Sequence, residues 1–139
     1  DLSAGMLALA RRRVQEEAID RVELRHGDVQ RLDVPDESVD TVVSTLSFCT
    51  IPDPLAAARE AMRVLRPGGR IVVAEHGPSR NRAIGAVMRL IDPLSVRLAS
   101  DHLCRVPGPY LTGAGFVVEE TERAGWTGLV HRMVGRKVP

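Results

Sequence analysis

Two polar residues, Glu75 and His76, end a short apolar run and are the first candidates for chemistry in this chain. Residues 70–74 are rich in β-branched side chains, which predicts a strand, and Gly77 follows it. In an open parallel sheet, ligands bind beyond the carboxyl ends of the strands. An imidazole exchanges a proton near neutral pH, so His76 is a candidate general base, and Glu75 is a candidate to orient it or to hold a cationic amine. A lone histidine is more often structural, and that alternative stays open.

A helix and a tight turn must lead into this strand. Pro54 suits a first helical turn, and apolar residues then recur at helical spacing, which predicts an amphipathic helix over residues 54–66. Pro67 cannot continue a helix, and Gly68 and Gly69 supply the positive φ that a helix end and a tight turn need. The predicted order is helix, turn and buried strand, which is typical of an α/β sheet.

The remaining elements follow from the same periodicities. They are a helix over residues 4–17 with Ser3 as its N-cap, a strand over 22–26, a largely buried strand over 39–46, a helix over 83–98 interrupted at Asp92 and Pro93, a short helix ending near residue 115, and strands over 116–121 and 130–135. The last two strands have no helix between them, so they are expected to pair antiparallel. The helix over 83–98 is either a lid over the sheet edge or kinked core structure, and we favour the core.

Composition limits the function classes. The 139 residues suffice for one domain with a core, and the formal net charge of +1 gives no sign of nucleic-acid binding. The two cysteines, Cys49 and Cys104, form neither a disulfide framework nor a zinc spacing, which favours a reducing cytoplasm and predicts no metal site. No apolar run approaches the roughly 20 residues of a bilayer-spanning helix, and no signal peptide is visible, so a soluble protein is expected.

Four stretches, in order along the chain, resemble class I S-adenosylmethionine-dependent methyltransferases. They are residues 1–7 (Asp-Leu-Ser-Ala-Gly-Met-Leu), 27–29 (Gly-Asp-Val), 40–47 and 65–69 (Leu-Arg-Pro-Gly-Gly). Residues 46–54 and 74–77 are similar to the branch that contains bacterial phosphatidylethanolamine N-methyltransferases and the ubiquinone and menaquinone C-methyltransferases. The resemblance implies a Rossmann-like, mostly parallel sheet with an antiparallel C-terminal strand. It also implies methyl transfer from S-adenosyl-L-methionine to a small-molecule or lipid-like acceptor.

The resemblance further implies a set of cofactor-binding residues. In the family, an acid that ends the second strand accepts hydrogen bonds from the cofactor ribose, and the acid of a Gly-Asp pair accepts from the adenine amino group. The matching positions are Asp1 for the ribose, Met6 near the adenine, Asp28 and the Val29 backbone amide for the adenine, and Ser44 and Thr45 near the methionine portion. Taken alone, Asp1 also fits a helix start and Gly27-Asp28 also fits a turn.

The methyl acceptor is expected to bind against the strand ends. The expected lining is Phe48, Cys49, His76, the helix from residue 83, and residues 102–110. Cys49 is not expected to be a nucleophile, because a free cysteine is commonly a small buried apolar residue. A general base is needed only where the acceptor loses a proton, which is the catalytic role predicted for His76. A lipid-like acceptor leaves peripheral membrane contact open, and no oligomeric state is predicted.

The family's first strand and its glycine-rich loop have no counterpart in these residues. We therefore interpret residues 1–139 as the C-terminal part of a single methyltransferase domain, and we expect these residues alone to bind the cofactor weakly and to be inactive. Two other functions stay open, a non-catalytic domain of this fold that binds a protein partner and a nicotinamide dehydrogenase. The dehydrogenase is disfavoured because Ala114, and not a lysine, stands four residues after Tyr110.

Overall fold

The structure is a computed structural model that describes residues 1–125 and 127–138. Its helices are α1 (Ala4–Glu16), α2 (Pro54–Val64), α3 (Arg82–Ala99) and α4 (Gly108–Gly113), and its strands are β1 (Val39–Thr45), β2 (Leu65–His76), β3 (Val117–Ala124) and β4 (Val130–Arg136). The strands form one sheet in the order β1-β2-β4-β3. β1 and β2 are parallel, and β4 is antiparallel to both of its neighbours. The α/β class and the antiparallel pairing of the last two strands are thus confirmed.

The helix-to-strand unit α2–β2 forms as the sequence predicts. The Asp53 carboxylate caps α2 by accepting hydrogen bonds from the amides of Leu55 at 3.0 Å and Ala56 at 2.9 Å, and Pro54 occupies the first turn. The side of α2 that faces the sheet is built mostly from small residues, which lets the helix backbone approach closely. The core joins this helix face to β2 and to the last part of the chain, through Ala57, Ala58, Ala61, Leu65, Ile71, Val73, Leu111 and Phe116.

β2 begins earlier than predicted, at Leu65. Leu65 pairs with Val39, and the register then shifts before the regular pairs that run from Thr41 with Arg70 onward. The Gly-Gly turn falls within this irregularity, where Gly68 has a φ of +78° and the carbonyl of Arg66 would lie 2.8 Å from a Cβ on residue 69. The predicted turn is therefore a distortion inside a longer strand.

β1 and β2 end side by side, which places their polar terminal residues at one edge. Thr45 pairs with Ala74, and the amide of Leu46 donates to the carbonyl of Ala74 at 2.9 Å. The segment after β1 therefore turns away next to Glu75 and His76. This is the position at which a parallel pair collects ligands.

Two sequence predictions about strands are wrong. Residues 22–26 form no strand, because among the described residues their backbone hydrogen bonds reach only Asp1, which does not make a ladder. β1 is not largely buried, since Val43 is 68% exposed. Among the described residues, residues 22–26 have no partner strand and β1 has a neighbouring strand, β2, on one side only.

The helix α3 also differs from its prediction. It continues through Pro93 without interruption, and of its 18 residues only Gly85 is buried, so the favoured interpretation as kinked core structure is wrong. The β3–β4 hairpin carries the predicted strands, extended to residues 124 and 136, while Trp126 in its connection lies outside the described residues. No helix of the described residues is long and apolar enough to cross a bilayer.

Candidate functional site

Asp1 and Asp28 line one cavity of about 400 Å³ at the carboxyl edge of the sheet. The cavity is bounded on one side by residues 1–2 and 27–29 and on the other by the segment that follows β1, residues 46–52. Two carboxylates therefore face a space within the size range of small-molecule sites. Carboxylate oxygens only accept hydrogen bonds, so this cavity suits a ligand that offers hydroxyl or amino donors.

The Asp28 carboxylate is held in place by Gln30. It accepts from the Gln30 backbone amide at 2.9 Å and from the Gln30 side-chain amide at 3.0 Å, and these bonds lower the pKa of Asp28. The Gln30 side-chain oxygen in turn accepts from the amide of Asp53 at 2.9 Å. The acidic turn is thus connected to the start of α2, and Asp28 stays ionised at neutral pH.

Asp1 takes part in the start of α1 and in the wall of the cavity at once. One carboxylate oxygen accepts from the Ser3 amide at 2.8 Å, while the Asp1 carbonyl accepts from Gly27 at 3.1 Å. Ser3 caps α1 through the Met6 amide, as predicted. The contact with Ser3 fits the helix-start interpretation of Asp1 and uses one of its two carboxylate oxygens, and the ribose-binding role of Asp1 stays a prediction.

The other predicted cofactor residues surround the same region. Met6 is 55% exposed and lines a neighbouring cavity that also includes Asp1. Ser44 and Thr45 line an apolar cavity that shares Val29 and Ser47 with the cavity of Asp1 and Asp28. The six residues therefore line three cavities that share lining residues, and their role in binding a cofactor stays a prediction.

Glu75 is almost fully buried, with 1% of its surface exposed. Its Oε1 accepts hydrogen bonds from the backbone amides of Ser47 at 2.8 Å and Phe48 at 3.1 Å, and from the Ser44 hydroxyl at 3.5 Å. Its Oε2 has no partner among the described residues. Glu75 therefore holds the turn after β1 in place. His76 contacts a different carboxylate, that of Asp101.

That carboxylate belongs to Asp101, which follows α3. His76 Nε2 lies 3.2 Å from Asp101 Oδ1, and each side chain is about a quarter exposed. Cys49 lies beside both, and we call Cys49, His76 and Asp101 the His76 cluster. Burial, and then the neighbouring Asp101 carboxylate, raise the pKa of the Cys49 thiol to about 12, which opposes a nucleophilic role.

The sulfur, nitrogen and oxygen atoms of the His76 cluster lie within 4.8 Å of one another. These are also the ligand types of a zinc site, which the sequence spacing gave no reason to expect. The protonated thiol and the His76 to Asp101 contact favour a hydrogen-bonded arrangement.

The loop from residue 100 to 107 fixes the segment after β1. Arg105 donates to the carbonyls of Phe48 at 2.8 Å and Ile51 at 2.6 Å, and the amide of His102 donates to the carbonyl of Cys49 at 3.0 Å. The predicted acceptor lining of residues 48–49 and 102–105 is therefore one connected structure.

Two further histidines, His131 and His26, have structural contacts. His131 is 1% exposed, and burial lowers its pKa. Its ring packs on Gly77, where an added Cβ would lie 2.9 Å from it. His26 Nε2 lies 3.1 Å from the carbonyl of Leu2.

Sequence reasoning missed Asp101, Gln30 and Arg105. Gln30 lies two residues after the acidic turn, a spacing at which an Asp side chain commonly binds the backbone, so its role had a local signal. Asp101 is 25 residues from His76 and Arg105 is 57 residues from Phe48, so only the folded chain brings these pairs together.

The fold and the site together define an α/β domain with an acidic, nucleoside-sized groove at the carboxyl edge of its sheet. A family model described as a methyltransferase domain matches residues 1–73, which is more than half of the chain. The chain therefore belongs to this family of methyltransferase domains.

Sequence relatives agree with that assignment. A phosphatidylethanolamine N-methyltransferase from Cereibacter sphaeroides is 38% identical over 92 residues, covering 66% of this chain and 45% of the relative. A demethylmenaquinone methyltransferase from Clavibacter sepedonicus is 36% identical over 106 residues, covering 73% and 42%. The chain thus spans less than half the length of these curated relatives.

Solved structures agree on the fold. A SAM-dependent methyltransferase from Methanosarcina mazei superposes with a TM-score of 0.73 at 18% identity, covering 99% of this chain and 80% of the other. The predicted Rossmann-like methyltransferase fold is therefore confirmed as a mixed sheet, in which one strand pair is parallel and two are antiparallel among the described residues.

Proposed function

We propose that the protein transfers a methyl group from S-adenosyl-L-methionine to a small, lipid-like acceptor. The observation that carries this proposal is the shared cavity of Asp1 and Asp28, which opens beside the strand ends that bear Glu75 and His76. Two acceptor carboxylates on one groove fit the ribose hydroxyls and the amino group of an adenosine moiety. The described residues therefore fit the adenosine portion of this cofactor.

One group of residues in this chain holds the cofactor, and another transfers a proton. Asp1 and Asp28 hold the adenosine portion, Met6 packs near the adenine, and the Val29 backbone amide donates to an adenine ring nitrogen. Ser44 and Thr45 line the way to the methionine portion. The bound cofactor supplies an electrophilic methyl group on a sulfonium, and alignment and exclusion of water are the main contributions a protein can make to such a displacement.

His76 accepts the proton of an acceptor that must lose one, and Asp101 positions its ring. Glu75 acts through the backbone, because its carboxylate fixes the Ser47–Phe48 turn between the cofactor groove and the His76 cluster. Cys49 contributes a neutral, buried wall.

The class of acceptor is supported by the two sequence relatives, whose names specify a phospholipid amine and a menaquinone precursor. Both are amphiphiles, so peripheral contact with a membrane belongs to the proposal. Two free cysteines among the described residues fit the reducing cytoplasm.

We also propose that residues 1–139 are the C-terminal part of one methyltransferase domain. β1 is an edge strand of the described sheet and its residue Val43 is 68% exposed, while residues 22–26 pair with no strand among the described residues. An exposed apolar sheet edge such as that at β1 is normally covered by further protein structure. Further strands of a longer chain, inserted between these two segments, would pair with both.

The test of cofactor binding is isothermal titration of the full-length protein with S-adenosylmethionine. Asp28→Asn should weaken binding about tenfold, because a charge-assisted hydrogen bond becomes a neutral one while the bond to the Gln30 amide remains. Asp20→Asn, on an exposed carboxylate that lines no described cavity, should leave binding unchanged. Equal affinities for Asp28→Asn and wild type would refute the assigned adenosine site.

The test of the proton-transfer assignment is the pH profile of methyl transfer to phosphatidylethanolamine and to a reduced demethylmenaquinone. Asp101→Asn should lower kcat about tenfold and shift the acidic limb of the profile, with the KM for S-adenosylmethionine unchanged. A uniform loss at every pH would assign Asp101 a structural role only.

A non-catalytic domain that binds a protein partner is the second candidate, favoured by the exposed β1 edge. The same titration separates the two functions. Absence of S-adenosylmethionine binding by the full-length protein would favour the partner-binding function.

A further inference from the structure

The helix α3 exposes a continuous apolar stripe. Five residues at helical spacing form it: Val87 is 57% exposed, Leu90 81%, Ile91 44%, Leu94 57% and Leu98 76%. We call these five residues the α3 stripe. Exposed apolar residues on a protein surface are ordinary when scattered, but a contiguous row on one helix face marks an interaction surface.

A side-chain contact links the middle of α3 to the loop that follows it. Gly85 is the buried residue of α3, and Asn81 caps the helix by accepting from the amides of Ala83 and Ile84. In the middle, Asp92 accepts from the Cys104 amide at 3.0 Å. Local contacts hold the helix at its start and in its middle, and among the described residues nothing covers the α3 stripe.

The charges on α3 are also unbalanced. Arg82, Arg89 and Arg97 are exposed, and none of the salt bridges found among the described residues involves them. The single acid of the helix is Asp92, whose carboxylate is turned to the Cys104 amide. A partner of α3 must therefore accept apolar side chains and supply negative charge.

We propose that α3 docks in the headgroup layer of an anionic phospholipid bilayer. A helix with an apolar stripe and arginines outside it lies in the plane of the interface, where the apolar side chains enter the acyl boundary and the arginines reach the phosphates. Its 18 residues give a length of about 27 Å, and it does not meet the requirements for crossing the bilayer. Lying on the bilayer surface is the arrangement that uses both the α3 stripe and the arginines of the helix.

The position of α3 ties this surface to the candidate site. The helix starts just after His76 and ends just before Asp101, and these two side chains meet at 3.2 Å. Docking α3 thus brings the His76 cluster to the headgroup layer, where an amphiphilic acceptor is concentrated. In this respect the inference rests on the proposed acceptor class and names the surface through which the acceptor arrives.

Flotation of the full-length protein with lipid vesicles tests the proposal without cofactor or turnover. We expect binding to vesicles of phosphatidylglycerol and phosphatidylcholine, weaker binding to phosphatidylcholine alone, and release at high salt. The variant Leu90→Gln/Leu94→Gln/Leu98→Gln should lower the partition coefficient at least tenfold. The matched change Leu9→Gln on α1, where Leu9 is 50% exposed, should leave it unchanged.

Substituting the arginines tests the charge part separately. Arg82→Gln/Arg89→Gln/Arg97→Gln should reduce binding to anionic vesicles and remove most of its salt dependence. Absence of vesicle binding by wild type, or equal binding by the triple leucine variant, would overturn the proposal. Self-association that the leucine variant abolishes in sedimentation, without vesicle binding, would overturn it in favour of a second copy.

Membrane docking of α3 and the proposed methyl transfer can be refuted independently of each other. Vesicle binding is measured without S-adenosylmethionine, so its absence leaves the methyl-transfer assays untouched. Conversely, a protein that binds vesicles through α3 but not the cofactor would refute the proposed activity alone.

Discussion

Replacing Glu75 tests whether one buried carboxylate organises the site. Its Oε1 is the acceptor for the amides of Ser47 and Phe48, at 2.8 and 3.1 Å, in a region where Phe48 is 3% exposed. Glu75→Ala leaves both amides without a partner, at about 1–3 kcal/mol each, so the free energy of unfolding should fall by about 4 kcal/mol. That is a large part of the total stability of a domain.

Glu75→Gln separates the acceptor from the charge. The glutamine oxygen can still accept from both amides, and the loss of charge assistance is offset by the smaller cost of burying a neutral group, so we expect a loss of about 1 kcal/mol or less. The quantity to be measured is the difference in the free energy of unfolding between the two variants, which we expect to be about 3 kcal/mol. It arises because glutamine keeps the hydrogen-bond acceptor at residue 75 and alanine removes it.

Guanidinium unfolding of the full-length protein at pH 7 provides the measurement, with the slope compared between variants. Ser47 lines the cavity of Asp1 and Asp28, so Glu75→Ala should also weaken S-adenosylmethionine binding. Equal unfolding free energies for Glu75→Ala and Glu75→Gln would refute the reasoning, since they would show that the two amides do not depend on this acceptor.

Three further predictions concern packing, thiol chemistry and the sheet edge. Gly77→Ala should lower the unfolding free energy by about 1–3 kcal/mol, because the new Cβ meets the buried His131 ring at 2.9 Å. Iodoacetamide at pH 8 should label Cys104 before Cys49 by mass spectrometry, because the Cys49 thiol is buried and its raised pKa of about 12 keeps it protonated until strongly alkaline pH. Val43→Asp should destabilise the full-length protein by about 3 kcal/mol in chemical unfolding, because the proposed additional strands would bury this residue.

Matched controls make these predictions specific. Gly27→Ala places its Cβ in open space, so it should change stability by less than about 0.5 kcal/mol. Val117→Asp changes a residue of β3 that is 52% exposed and should also be mild. Labelling of Cys49 before Cys104 would contradict the assigned burial, and equal effects of Val43→Asp and Val117→Asp would contradict a cover over β1.

The sequence predicted those features that short segments determine. Pro54 begins α2 and Ser3 caps α1, because each lies next to the first turn of its helix in the chain. The strand after the Gly-Gly turn was predictable for the same reason. The misassigned segments were those whose state depends on distant neighbours: residues 22–26 alternate like a strand, but a strand exists only with a partner.

The helix α3 shows a second limit of sequence reasoning. Its apolar spacing is the same whether the stripe faces a protein core or another apolar medium, so pattern alone could not place it. The exposure of Leu90 and Leu98, and the lack of salt bridges to the arginines of α3 among the described residues, became visible only in the folded chain. Asp101 was missed for a related reason, since its contact with His76 is created by the full length of α3 between them.

The segment from Leu46 to Ile51 connects the two halves of the candidate site. On one side it lines the cavity of Asp1 and Asp28, and on the other it carries Cys49 of the His76 cluster. Its conformation is held by two sets of contacts between residues distant in sequence: Glu75 accepts from the amides of Ser47 and Phe48, and Arg105 donates to the carbonyls of Phe48 and Ile51. Because one rigid turn separates the cofactor groove from the proposed base, a change that loosens it must displace both, and losses of cofactor affinity and of turnover should therefore rise together.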